Sequence, residues 1–149
     1  MNKKNSYKNK GLLLDTSFLL PILGFKTSEK IMKVFPKLDK YKLYYNDLSI
    51  LEALWKIMKK IRGTEEEIER IAEGIKAINE TLKHVPINEK AVRNAIEMYQ
   101  LGHRDLIDNL IYSTALYNGI KLLTIDTKLI EFIEENKLPK HAIITPEAI

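Results

Sequence analysis

Four acidic residues stand where a carboxylate is unusual unless it has a chemical task. Asp15 interrupts the apolar stretch GLLLDTSFLL, and Asp126 ends the apolar run KLLTID. Asp108 lies within GHRDLIDNLIYSTAL, a segment that is apolar almost all round its predicted helix, and Glu52 lies at the edge of the apolar stripe in SILEALWKI. A lone buried carboxylate costs several kcal/mol or stays protonated. Asp108 in particular therefore needs a cation or hydrogen-bond donors.

Each acid taken alone also has a structural explanation. An aspartate directly after a strand, such as Asp15 or Asp126, is a good N-cap for a following helix. Glu52 can pair on a helix surface with Lys56 four residues later, which is worth only ~0.3–0.5 kcal/mol. Asp105, three residues before Asp108, suits a helix cap or a first-turn charge. The presence of two such aspartates, each directly after a predicted strand, makes helix capping alone a weaker explanation for them.

The elements that must position these acids alternate between strands and helices. Continuous apolar runs predict buried strands at 11–15, 41–45, 119–126 and 141–145, with a weaker fifth at 84–87. Helical patterns cover 28–38, 47–62, 64–82, 88–101, 105–118 and 127–136. Among their end signals are Asp47 as an N-cap, Asn88 as the residue that opens its helix, and a Thr64–Glu67 capping box. This alternation predicts an α/β fold with a mainly parallel sheet, whose sites lie beyond the carboxyl ends of the strands.

Composition sets wider limits. The chain has 149 residues, a net charge of +4 and no cysteine, which excludes disulfides and cysteine-based zinc sites. No segment reaches the ~18 apolar residues of a membrane span. We expect a flexible basic arm at residues 1–10, a single domain at 11–149 and a cytoplasmic location.

Three stretches, in order along the chain, resemble the PIN-domain nucleases and particularly the VapC-type toxins. They are LLLDTSFLLPIL, LSILEALWKI and DNLIYSTALYNGIKLLTIDTKL. The resemblance implies a three-layer α/β/α sandwich around a mainly parallel sheet of four to five strands. It also implies that Asp15, Glu52, Asp108 and Asp126 form the catalytic and metal-binding site. In the same way, it marks Asp105 as an additional acid and Ser17 and Thr124 as bordering hydroxyls.

The function implied by the resemblance is divalent-metal-dependent cleavage of RNA. Clustered carboxylates cannot all stay ionised without a counter-cation, and Mg²⁺ or Mn²⁺ would supply it. Family members of the toxin type are held inactive by an antitoxin protein and commonly form homodimers. Cations must guide RNA past the acids, and the candidates are Lys56, Lys59, Lys60 and Arg104, although a solvated helix end explains the lysines equally well.

Two other classes of protein compete with the nuclease interpretation. One is a non-catalytic PIN-fold scaffold that binds RNA or protein, which the presence of all four acids disfavours. The other is a phosphoryl-transfer enzyme on an α/β fold. A phosphatase of the haloacid dehalogenase type would need Asp-x-Asp after the first strand, and here residue 17 is a serine.

Overall fold

A computed structural model describes residues 11–149, and its centre is a five-stranded sheet in which every strand pair is parallel. The strand order is β3-β2-β1-β4-β5. The strands are β1 (Gly11–Leu14), β2 (Lys42–Tyr45), β3 (Lys83–His84), β4 (Lys121–Leu123) and β5 (Ile143–Ile144). The predicted basic arm at 1–10 lies outside the described residues.

Seven α-helices connect and cover the strands within the described range. They are α1 (Thr16–Leu19), α2 (Glu29–Val34), α3 (Asp47–Met58), α4 (Glu65–Thr81), α5 (Glu89–Leu101), α6 (Leu106–Tyr117) and α7 (Thr127–Glu135). Short 3-10 helices occupy Phe35–Lys40, Lys140–Ala142 and Pro146–Ala148. None of the helices between residues 11 and 149 has the length and apolar character needed to cross a membrane.

The central strand β1 shows that helices cover both faces of the sheet. Its leucines are fully buried, and successive side chains along a strand point to opposite faces. Leu12 and Leu14 pack in a cluster with residues of α1 to α4, whereas Leu13 packs with residues of α5, α6 and α7. The predicted α/β/α sandwich around a parallel sheet is therefore confirmed.

The helix ends follow the chemistry of their capping residues, with one correction. The Thr64 capping box and the Asn88 cap form as predicted. The expectation that Asp47 caps α3 was wrong, because Asn46 takes that position and accepts from the Leu48 N–H at 2.8 Å. Asn46 also donates to the Val85 carbonyl at 2.7 Å. A carboxylate could not make this second contact, since it has no hydrogen to donate.

Candidate active site

The first part of the site is the loop that follows β1. Leu14 of β1 pairs with Leu123 of β4, and the Asp15 N–H donates to the Leu123 carbonyl at 3.2 Å. The chain leaves both strands at this level, so Asp15 and Asp126 emerge at the same edge of the sheet. The Asp15 carboxylate accepts from the Thr16 N–H and, through its other oxygen, from the Thr124 hydroxyl, both at 2.7 Å.

Thr124 joins the two strand-end aspartates. Its side chain is fully buried, and its hydroxyl oxygen accepts from the Asp126 N–H at 3.1 Å while its hydrogen is given to Asp15. Asp126 in turn caps α7 by accepting from the Leu129 N–H at 3.2 Å. The predicted capping role of Asp126 and its place in the acidic cluster are therefore compatible. Thr124 positions both aspartates and does not line the cavity itself.

The start of α6 brings in two further acids. Asp105 is the N-cap and accepts from the Asp108 N–H at 3.1 Å. Asp108 lies in the first turn of the helix, where it is buried and its carboxyl group is hydrogen-bonded to that of Asp126. Asn109, which follows it, is fully buried and anchors this turn by donating to the His103 carbonyl at 2.7 Å.

Glu52 of α3 completes the cluster. One carboxylate oxygen from each of Glu52, Asp105 and Asp108 lies within 4.8 Å of the other two. Lys56, one turn along the helix, places its ammonium 3.7 Å from Glu52. Asp105, which the sequence marked only as an additional acid, is therefore within reach of the same ion as Glu52 and Asp108.

All these acids open into one cavity of about 520 Å³ at the carboxyl ends of β1 and β4. We call it the acidic cavity. It is lined by Asp15, Thr16, Ser17, Glu52, Lys56, Asp105, Asp108, Ile125, Asp126, Thr127 and Lys128. The structure thus brings the four predicted acids together with Asp105 and Ser17.

The predicted RNA-contacting residues are distributed around the acidic cavity. Lys56 lines it directly. Arg104 lines an adjoining cavity that shares Asp105, Asp108 and Asp126 with it, and the guanidinium lies 4.7 Å from the centre of the Tyr99 ring. Lys59 and Lys60 lie in a separate depression beside Lys56.

Sequence reasoning missed Lys128, which lines both the acidic cavity and the adjoining one. It occupies the first turn of α7, two residues after Asp126. The spacing of Asp126 and Lys128 was a usable signal, because a residue in the first turn of a helix lies close to its N-cap.

Burial and mutual repulsion change the acidity of the two least exposed acids. Burial raises the pKa of Asp15 above its usual range, although hydrogen bonds from Thr124 and Thr16 oppose this and the charges of Glu52 and Asp126 add to it. The pKa of Asp108 is raised to about 9, first by burial, then by the hydrogen bond with Asp126 and by neighbouring negative charges. Without a cation, the Asp108 carboxyl group therefore holds its proton at neutral pH.

The donor set fits a divalent metal ion. All of the converging ligand atoms are carboxylate oxygens, which hard cations such as Mg²⁺ and Mn²⁺ prefer. A bound cation would also offset the burial and the repulsion that raise the pKa values of Asp15 and Asp108. Residues 11–149 therefore provide a chemically suitable metal site centred on Glu52, Asp105 and Asp108, with Asp15 and Asp126 adjacent.

Comparison with solved structures finds the same fold in proteins from other organisms. A toxin–antitoxin complex from Klebsiella pneumoniae matches with a TM-score of 0.62 and 16% identity, covering 93% of this chain and 99% of that one. FitAcB from Neisseria gonorrhoeae matches with a TM-score of 0.64 and 16% identity over 93% and 99%. DNA-bound VapBC from Salmonella typhimurium gives 0.59 and 14% over 92% and 98%.

Sequence comparison gives a family but no individual relative. A search of curated proteins found no match to the chain. The family model described as PIN domain matches residues 12–134, a range that contains Asp15, Glu52, Asp108 and Asp126. The chain therefore belongs to the PIN domain family.

Proposed function

We propose that the protein is a divalent-metal-dependent endoribonuclease that uses the acidic cavity to hydrolyse RNA phosphodiester bonds. The observation that carries the proposal is the convergence of five carboxylates from four separate segments on one open cavity. So many acids in one place destabilise the protein unless they hold a cation. Membership of the PIN domain family supports the nuclease activity.

The residues divide the work according to their surroundings. Glu52, Asp105 and Asp108 would hold a metal ion, because their oxygens already lie within 4.8 Å of one another. When bound, the ion would lower the pKa of a coordinated water and stabilise negative charge on the phosphate. Asp15, held by Thr16 and Thr124, keeps a fixed orientation at the edge of this group.

Asp126 is suited to act on the attacking water. Its backbone is fixed by Thr124 and one carboxylate oxygen by the Leu129 N–H, so the side chain faces the cavity in a fixed position. A carboxylate held in this way can orient a water and accept its proton. Lys56 and Lys128, which both line the cavity, would offset the repulsion between the cavity and the RNA backbone.

The cleavage assay that tests this proposal uses the full chain with single-stranded RNA. We expect endonucleolytic products with Mg²⁺ or Mn²⁺ and none with EDTA. The melting temperature should also rise with added metal, because only the folded protein offers the site. RNA binding without cleavage, together with a melting temperature that does not respond to either ion, would instead identify a non-catalytic scaffold.

We further propose that the protein is the toxin of a toxin–antitoxin pair and forms a homodimer. The support is its likeness to structures described as a toxin–antitoxin complex and as VapBC. If so, a small protein encoded beside it should form a stable complex with the purified chain and suppress RNA cleavage. Cleavage that is unaffected by every adjacent gene product would favour a role in RNA processing.

A further inference from the structure

His103 joins α5, α6 and α7, and the last two of these helices begin with acids of the acidic cavity. It lies in the loop between α5 and α6, where its backbone N–H donates to the Met98 carbonyl of α5 at 3.1 Å. Its ring lies 5.0 Å from the ring of Phe132 in α7. His103 therefore holds the end of α5 against α7.

The contact of His103 with α6 consists of two hydrogen bonds with one side chain, that of Asn109. The Asn109 amide nitrogen donates to the His103 carbonyl at 2.7 Å, and the Nδ1 atom of the His103 ring lies 2.6 Å from the Asn109 Oδ1. The same amide nitrogen donates to the Ala95 carbonyl of α5 at 3.4 Å. Because both amide hydrogens go to carbonyls, the amide oxygen faces the ring, and Nδ1 is the donor.

These hydrogen bonds enclose the segment that carries two of the acids. Asp105 lies two residues after His103, and Asp108 comes directly before Asn109. The pair of His103 and Asn109 therefore fixes both ends of the segment that presents Asp105 and Asp108. His103 also lines the adjoining cavity together with these two acids.

Repulsion between the acids makes a restraint on this segment valuable. After burial and the hydrogen bond with Asp126, the negative charge of Asp105 is the next cause of the raised pKa of Asp108. Asp105 is exposed, so a movement of its loop into the solvent would relieve the repulsion. The link from His103 to the fully buried Asn109 opposes that movement. Loss of a residue that orients metal ligands typically lowers metal affinity about 10- to 100-fold.

We propose that His103 is a positioning residue of the metal site, which acts through Asn109 to hold Asp105 and Asp108 in the arrangement that binds the ion. Within residues 11–149, the His103 ring makes no hydrogen bond to any of the acids, and Asn109 is its hydrogen-bond partner. This inference rests on the metal site of the proposed function and adds to it a residue that is not itself a ligand.

The test is a titration of the full chain with Mn²⁺ alone, without RNA, in which free Mn²⁺ is measured by electron paramagnetic resonance. His103→Phe keeps a ring beside Phe132 and removes the donor to Asn109. His103→Asn does the opposite, because its amide nitrogen takes about the place of Nδ1 while the ring is lost. If circular dichroism shows that His103→Phe is unfolded without metal, His103→Gln, whose amide lies one bond further from the backbone, replaces it.

The matched control is His84→Phe. His84 has the same two kinds of contact, since its Nε2 lies 3.1 Å from the Asp47 carboxylate and its ring lies 5.2 Å from the ring of Tyr45. It lines neither the acidic cavity nor the adjoining one. A general effect of losing a histidine contact would therefore be equally large in the control.

We expect His103→Phe to weaken Mn²⁺ binding about tenfold, and His103→Asn and His84→Phe to stay within about twofold of the wild type. Under the proposed function, His103→Phe should cut RNA more slowly than the wild type at low Mn²⁺. At saturating Mn²⁺ its rate should return to within about twofold of the wild type, because it keeps every ligand of the ion. This separation of metal affinity from maximal rate distinguishes a positioning residue from a group that takes part in the reaction.

Three results would overturn the inference. They are an unchanged Mn²⁺ affinity in His103→Phe, an equal loss in His103→Phe and the control, and an equal loss in His103→Phe and His103→Asn. A wild type that binds no Mn²⁺ would overturn both this inference and the proposed function. The expected Mn²⁺ affinities without any cleavage of RNA would overturn the proposed function and leave this inference standing. Metal-dependent cleavage with equal affinities in all four proteins would do the reverse.

Discussion

Two helix starts in this molecule carry carboxylates in their first turn, and their acidities shift in opposite directions. At the start of α4, Glu67 accepts from the Thr64 N–H at 3.1 Å and from the Thr64 hydroxyl at 3.0 Å. These hydrogen bonds lower its pKa. At the start of α6, burial and neighbouring acids raise the pKa of Asp108 to about 9.

The difference shows which carboxylate serves folding and which costs stability. Glu67 is exposed to water and receives donors, so its ionised form is the favoured one. Asp108 is buried and meets other acids, so its ionised form is disfavoured. A fold retains such a group at a cost, and destabilising clusters of this type are typical of functional sites.

The largest expected contrast between the two helix starts is in catalysis. Under the proposed function, Asp108→Asn should reduce RNA cleavage at saturating Mg²⁺ by about 100-fold or more, because it removes a charged oxygen from the metal site. Glu67→Gln should leave cleavage within about twofold. Rates of RNA cleavage measured at matched protein concentration test both.

The outcome that would contradict this contrast is an Asp108→Asn protein that cuts RNA as fast as the wild type. Circular dichroism of both variants is the control for folding. The Asn side chain has nearly the same size as Asp, so the first turn of α6 should remain intact. A loss of activity caused by unfolding would therefore be recognised.

The second contrast is in the pH dependence of stability without metal. The folded-state pKa values of Asp15 and Asp108 are raised, so between their unfolded value of 3.8 and the folded value, about 9 for Asp108, the folded state binds more protons. The extra protons bound by the folded state add to the free energy of unfolding. This contribution is fully present below pH 3.8 and is lost as the pH rises. The slope is at most about 1.4 kcal/mol per pH unit for each group.

Urea unfolding in EDTA between pH 5 and pH 9 measures this loss. Asp108→Asn should flatten the profile, since an amide does not titrate, and saturating Mg²⁺ should reduce the loss in the wild type. The stability contributed by Glu67 changes with pH in the opposite direction, because its pKa is lowered. This contribution is present above pH 4.5 and is lost as the pH falls. A wild-type protein that gains stability from pH 5 to pH 9 without metal would show that Asp108 is ionised at neutral pH.

The third contrast isolates the folding role of the α4 start. Thr64→Ala removes the hydroxyl that accepts from the Glu67 N–H at 3.2 Å and donates to its carboxylate. We expect a loss of about 1 kcal/mol in the free energy of unfolding, or about 2–4 °C in melting temperature. RNA cleavage at 25 °C should not change.

The matched control at this position is Thr64→Ser, which keeps the hydroxyl and should restore most of the stability. A Thr64→Ala protein that melts with the wild type would show that the capping box contributes nothing measurable. A change in cleavage would show that α4 communicates with the acidic cavity.

The predictions that succeeded from sequence alone depended on local chemistry. The Thr64 box follows from two residue types three positions apart and the Asn88 cap from a single residue type, and the structure contains both. The convergence of Asp15 and Asp126 followed from a general rule, because parallel strands end at a common edge. Where a signal is contained within one helical turn or one strand end, the sequence is sufficient to predict it.

The features that escaped the sequence depend on distant neighbours. The strand predicted at 119–126 forms only over Lys121–Leu123, between neighbouring strands of four residues (β1) and two residues (β5). Asp105 could be recognised as a cap, but its distance from Glu52 depends on how α3 and α6 meet. The exposure of Trp55, 54%, likewise depends on what packs against α3.

The smallest expected effect concerns Asp105, which has two proposed roles: it caps α6, and it binds the metal ion. It caps α6 as Thr64 caps α4, yet its oxygen also lies within 4.8 Å of Glu52 and Asp108. Asparagine caps helices about as well as aspartate. Asp105→Asn should therefore change the free energy of unfolding by no more than about 0.5 kcal/mol in EDTA. The same variant should reduce the Mg²⁺-induced rise in melting temperature, because a charged ligand is lost.

Asp105→Ala sharpens the result, since it removes the cap as well and should cost about 1 kcal/mol in EDTA. If Asp105→Asn responds to Mg²⁺ exactly as the wild type does, Asp105 is a cap alone, and the ion is held by the other acids of the cavity. If its response is reduced, one carboxylate both starts the helix and binds the ion. The two helix starts would then differ in two ways. The N-cap of α6 would bind the ion as well as cap the helix, and the pKa of the first-turn acid would be raised at α6 but lowered at α4.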